Sequence, residues 1–282
     1  MHLGRVSIIG VGLLGGSLGL ELRRRGLADE VVGVGHRDST LKEAARRGAI
    51  DRFTLDAAEG VAGADLVVLA TPVGLFGPLM AQAAPALADG CLITDVGSTK
   101  RAVLEAVLPH VPDGCRFVGS HPLAGSEARG IAAADVDLYG GATVLVVPTP
   151  RSDDAALERV ERLWQALGSR TRRIDAETHD RLLAGTSHLP HLVAAALVNA
   201  LGDGADALVA SGFLDTTRIA SGDPALWRDI FMTNADELLA ALDRFEATLG
   251  AMRSALSDRD AEAVRRLLDE AKRRRDAMLG SR

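Results

Sequence analysis

The strongest constraint on the fold is the run Gly10-Val11-Gly12-Leu13-Leu14-Gly15-Gly16-Ser17. It directly follows the buried-strand pattern Arg5-Val6-Ser7-Ile8-Ile9 and opens a helical pattern over residues 13–25. Between a strand and a helix these glycines have distinct tasks: Gly10 for a tight turn, Gly12 for close approach of backbone to a pyrophosphate, and Gly15 for packing helix against strand. Leu13 and Leu14 begin the helix, whose free amides would receive the pyrophosphate. A second strand at residues 31–34 completes a βαβ unit, so the spacing predicts a dinucleotide site.

An acid at the end of that second strand would accept hydrogen bonds from a free ribose hydroxyl. Here the chain reads Gly35-His36-Arg37-Asp38-Ser39. The acid is missing at the expected place, and His36 with Arg37 offers positive charge to a 2′-phosphate, which favours NADP. In the alternative, Asp38 reaches the ribose and the cofactor is NAD, or either.

The rhythm continues with a helix over 40–47, a strand over 65–70 ending in Thr71-Pro72, a helix over 75–87, and a strand over 91–94 ending in Asp95-Val96-Gly97-Ser98-Thr99-Lys100. Alternating strands and helices indicate a parallel sheet. Thr71, Pro72, Asp95 and Ser98 then share the carboxyl edge with the glycine loop, Ser98 toward the nicotinamide end; helix capping is the plain alternative for each. A strand at 142–147, a helix at 154–167 and a strand near 171–174 close this half, and from Thr178 helical periodicity takes over. The expected fold is an α/β N-terminal Rossmann-type doubly wound sheet over residues 1–175 plus an all-α C-terminal domain over residues 176–282.

Composition narrows the function classes. A net charge of −6 argues against a nucleic-acid footprint, which needs a basic face. The run Lys272-Arg273-Arg274-Arg275 reads as a solvated helix end. Cys91 and Cys115 lie beside strands and suit buried thiols, and no metal-ligand spacing occurs. The start leads straight into a strand, and no apolar run is long enough to span a membrane, so the expectation is a cytoplasmic protein that binds no membrane.

The stretch Gly119-Ser120-His121-Pro122 follows the strand end Arg116-Phe117-Val118. His121 is therefore expected in a loop at the sheet's ligand-binding edge, where it can exchange a proton near neutral pH. In the helical half, Ser187-His188-Leu189-Pro190-His191 puts two histidines on one face around a helix-disturbing proline. Arg218, three residues after Asp215, is either an ordinary ion pair or a fork for a substrate carboxylate. Leu238, Leu242, Phe245, Leu249, Met252 and Leu256 step by four and three, a seam between packed helices that suits a homodimer.

With these residues together, the chain resembles the prephenate and arogenate dehydrogenases of tyrosine biosynthesis, the TyrA family, over nearly its whole length. The carrying motifs are the glycine loop, Asp95 to Lys100, Gly119 to Glu127, Ser187 to His191, and Thr217-Arg218-Ile219-Ala220 with Asp223-Pro224 and Trp227-Arg228-Asp229. The resemblance implies oxidative decarboxylation of a cyclohexadienol that carries a ring carboxylate. It gives His121 the role of catalytic base, and Ser98 that of holding the ring hydroxyl and His121 in line. Arg218 would bind a substrate carboxylate, Ser187, His188 and His191 would lie at the substrate site, and Asp215 with Glu127 would form an ionic cluster at the entrance. Rival readings are a hydroxyacid dehydrogenase or imine reductase on the same plan, or a dinucleotide sensor without chemistry.

Overall fold

A computed structural model of the chain describes residues 2–125, 128–202 and 204–280. Eight strands form one sheet: β1 (Leu3–Ile9), β2 (Ala28–Val34), β3 (Arg52–Thr54), β4 (Leu66–Leu69), β5 (Leu92–Asp95), β6 (Arg116–Pro122), β7 (Thr143–Val147) and β8 (Arg170–Arg173). Their spatial order is β3-β2-β1-β4-β5-β6-β7-β8, so the direction of winding reverses between β1 and β4. That switch opens a crevice beyond the strand ends, where doubly wound sheets take their ligands.

The central strands are buried on both faces, as parallel strands covered by helices must be. Along β4, Leu66 and Val68 join one core while Val67 and Leu69 join the other. The first core is closed by α1 (Leu13–Arg24), α2 (Asp38–Arg46) and α6 (Asp154–Ala166), the second by α3 (Ala57–Val61), α4 (Phe76–Ala83) and α5 (Arg101–Val107). Local capping sets several starts: Asp56, Asp153 and Asp175 each accept an amide hydrogen bond from the first turn of the helix that follows.

Strand β6 corrects the expectation that His121 sits in a loop. Its first half pairs parallel with β5, and its second half, Gly119 to Pro122, pairs antiparallel with β7, His121 opposite Leu145. A second partner thus keeps the chain extended past the point where β5 ends, and His121 is carried beyond the parallel sheet on a strand.

After β8 the described residues are helical: α7 (Ala176–Leu183), α8 (Leu189–Asn199), α9 (Ser211–Thr217), α10 (Pro224–Thr233), α11 (Ala235–Ser257) and α12 (Ala261–Gly280). Pro190 does not kink a continuous helix. It occupies the first turn of α8, and the irregularity is a π-helical turn over Ala184–His188 just before it. Asp223 caps α10 through the amide of Ala225, with Pro224 at the first helical position. By contact density the chain divides into two compact units, Met1–Ala235 and Asp236–Arg282. The second consists of α11 and α12, joined at a short turn where Arg259 has φ 51°.

Candidate active site

The glycine loop has the geometry its spacing predicts. Gly10 has φ 104°, and a Cβ there would lie 2.6 Å from the backbone of Ala70. Gly15 has no room for a side chain against the carbonyl oxygen of Gly10. Gly12, the residue before α1, faces open space, and no side chain caps the helix, so the amides at Leu13 and Leu14 are available to an anion. A dinucleotide therefore fits this loop. Thr71 and Pro72 follow β4 across the crevice from it. At the end of β2, His36 and Arg37 are exposed while Asp38 is engaged with Lys42 at 2.6 Å.

Beyond β5 lies a buried polar assembly. The carboxylate of Asp95 accepts hydrogen bonds from the amides of Ser120 (2.9 Å) and Gly97 (2.8 Å) and is ion-paired with Lys100; both charged groups are wholly inaccessible. The Asp95 side chain is thus turned inward, both oxygens engaged inside the protein, where they tie the loop carrying Ser98 to β6. Ser98 itself is half-buried. The hydroxyl of Ser120 meets Thr94 at 2.5 Å and accepts from the Trp164 indole at 3.1 Å, which further fixes the strand under His121.

His121 is buried, and its Nδ1 lies 2.9 Å from Nε2 of His179 on α7. Nδ1 of His179 is 2.7 Å from Asp180, whose carboxylate also accepts the amides of Lys100 (2.8 Å) and Arg101 (2.9 Å). Burial pushes His121 well below the ordinary histidine range, and positive charge on His179, Lys100 or His188 would push it further. It is neutral at neutral pH and able to accept a proton.

His188 and His191 are both buried but held differently. The Asn234 amide donates to the backbone carbonyl of Asp180 (2.9 Å) and to Nδ1 of His188 (3.1 Å), leaving the His188 hydrogen on Nε2. Burial lowers His188 to about 4, so it too stays neutral. His191 stacks on Trp227 with ring centroids 3.5 Å apart, and its Nδ1 is buried with no hydrogen-bond partner among the described residues. Ser187 is half-buried in the π-helical turn, and Asp215 and Arg218 are exposed at the end of α9 and the turn after it. Glu127 lies outside the described residues. In the same loop, Arg129 is ion-paired with Asp223, joining the segment after β6 to the start of α10.

The two halves each match a family model. Residues 18–173 match "Prephenate dehydrogenase, nucleotide-binding domain" and residues 175–270 match "Prephenate dehydrogenase, dimerization domain". The chain belongs to the prephenate/arogenate dehydrogenase family. It is 33% identical to prephenate dehydrogenase of Bacillus subtilis over 97% of this chain and 76% of that protein. It is also 33% identical to cyclohexadienyl dehydrogenase of Zymomonas mobilis, over 97% and 95%. Among solved structures, prephenate dehydrogenase from Aquifex aeolicus in complex with hydroxyphenyl propionate and NAD+ superposes with a TM-score of 0.91 at 32% identity, covering 99% of both chains.

Within this family fold, four residues of the assembly were not legible as site residues in the sequence. They are His179, Asp180, Lys100 and Asn234, which lie far apart in the chain or read as helix polar positions. The adjacent pair His179-Asp180 just past the last strand was the one available signal.

Proposed function

We propose that the chain catalyses oxidative decarboxylation of prephenate or arogenate to 4-hydroxyphenylpyruvate or tyrosine, and that it does so as a homodimer. The observation that carries the reading is His121: a neutral, buried histidine on the strand edge that also bears the dinucleotide loop, with its inner nitrogen already engaged. When bound, the dinucleotide supplies the hydride acceptor, held by Gly10, Gly12, Gly15 and the amides of Leu13 and Leu14, with Thr71 and Pro72 across the crevice. His121 takes the proton of the ring hydroxyl through Nε2. Ser98 orients that hydroxyl, Arg218 receives a substrate carboxylate, and His188, presenting its Nε2 hydrogen, with His191 and Ser187 lines the ring's side of the site. Asp215 guards the entrance. The scheme asks the protein for positioning and one base. Apolar residues exposed on the second unit, among them Leu249 at 53% and Leu256 at 66%, support a second copy as their cover.

The test is the appearance of reduced nicotinamide with prephenate and with arogenate, each with NAD and with NADP. Turnover with either substrate is expected; a folded protein that binds dinucleotide and is silent in all four assays overturns the reading. NADP is the expected better cofactor, because Arg37 and His36 are exposed at the end of β2 and Asp38 is occupied by Lys42. Arg37→Ala is then expected to lower kcat/KM for NADP about tenfold, the worth of one charge-assisted phosphate contact, with little change for NAD. Equal losses for both cofactors would remove Arg37 from the 2′-phosphate.

A further inference from the structure

We propose that His179 and Asp180 are positioning residues behind His121: a hydrogen-bonded line that fixes which His121 nitrogen faces the substrate and draws the accepted proton's charge toward Asp180. The inference rests on the reading of His121 as the base.

The line has a single consistent direction. Asp180 is wholly buried and receives two backbone amides, from Lys100 and Arg101 at the start of α5, besides His179. Burial alone would raise this carboxyl, but the hydrogen bonds from His179 and the two amides outweigh it and hold it below its ordinary value, so it is an acceptor only. His179 must therefore carry its hydrogen on Nδ1. In the neutral ring this leaves Nε2 as an acceptor, and the 2.9 Å contact makes Nδ1 of His121 the donor. The lone pair of His121 is then on Nε2, the nitrogen left for substrate.

The proton balance follows from the same order. The substrate O–H bond breaks as an Nε2–H bond forms on His121. The Nδ1 hydrogen of His121 can then pass to Nε2 of His179, placing the positive charge on the ring adjoining the Asp180 carboxylate. Reversal of the shift returns the proton through His121 after product leaves, and no oxidation or reduction is involved in the line itself. The charged or titratable groups facing His121 are His179 on α7, Lys100 before α5 and His188 in the π-helical turn; Asp180, Lys100 and Asp95 face His179. Asp180 and Asp95 are the anions among them, and only Asp180 is hydrogen-bonded to the line.

Asp180→Asn tests the order, because it removes the negative charge that draws the proton and, with its NH₂ toward His179, reverses both tautomers and leaves His121 with hydrogen on Nε2. The expected result is a fall in kcat of about 100-fold or more, with KM and dinucleotide affinity nearly unchanged, as when the orienting carboxylate of a catalytic histidine is neutralised. His179→Gln, which accepts the His121 hydrogen but cannot carry the charge, is expected to lose less than His179→Phe. Imidazole nitrogen NMR of histidine-labelled native protein is expected to show the His121 hydrogen on Nδ1, a readout that does not depend on any variant folding. Hydrogen on Nε2 in the native protein overturns the line. So does full activity of Asp180→Asn and His179→Phe beside an inactive His121→Asn. Full activity of His121→Asn instead overturns the base itself and the line with it.

Discussion

His121→Asn is expected to lower kcat by about 100-fold to 10,000-fold, the range a positioned general base contributes. Asparagine can still accept the ring hydroxyl's hydrogen bond, so KM is expected to move little, and dinucleotide binding, carried by the glycine loop, is expected to persist. The pH dependence belongs to the same prediction. The base works only when neutral, and burial has lowered its proton affinity well below that of an ordinary histidine near 6.5. As pH falls through 6.5, native His121 therefore remains an acceptor, and kcat/KM declines only at lower pH. The profile of kcat/KM reports the free enzyme, the state described by the structure. An acidic limb at or above 6.5 that disappears in His121→Asn would contradict the burial argument while leaving the base; an active His121→Asn would contradict the base.

How much of this was legible in the chain depended on the range of the interaction concerned. The glycine loop was readable because its task is local: Gly10 needs positive φ, Gly15 needs no Cβ, and both demands fall within a few residues of the strand that creates them. The helical half was readable from periodicity. The extent of β6 was not, because Gly119 to Pro122 reads as a break until β7, more than twenty residues later, supplies an antiparallel partner. The same limit hid the relay. His121 and His179 are 58 positions apart, and only the packing of α7 beyond the sheet edge brings their rings together. Asp95 is visible as a polar residue at a strand end on the cofactor's edge, but no local feature says that Lys100, five residues on, turns inward to meet it. The π-helical turn was likewise outside local reading: Pro190 announces an irregularity, and only the structure puts it in the turn before the proline.

Lys100→Met is expected to be the most destabilising of the single changes considered. It removes one member of an ion pair with no exposure on either side and leaves the Asp95 carboxylate buried without its cation. Breaking such a pair from one side costs about 3–5 kcal/mol, to be read as a lowered denaturant midpoint. Asp95 keeps the amides of Ser120 and Gly97, which moderates the cost without neutralising the charge. The double variant Lys100→Met with Asp95→Asn removes both charges and is expected to be more stable than Lys100→Met alone, since the penalty belongs to the unpaired charge more than to the lost attraction. A single variant within about 1 kcal/mol of native stability would show that the Asp95 carboxylate is not penalised by losing its cation. The same substitution reports on chemistry. Lys100 is one of the positive charges that lower His121. Without it the His121 proton affinity rises, and the acidic limb of kcat/KM moves to higher pH, whereas loss of packing alone would reduce the amount of folded enzyme and leave the position of that limb where it was.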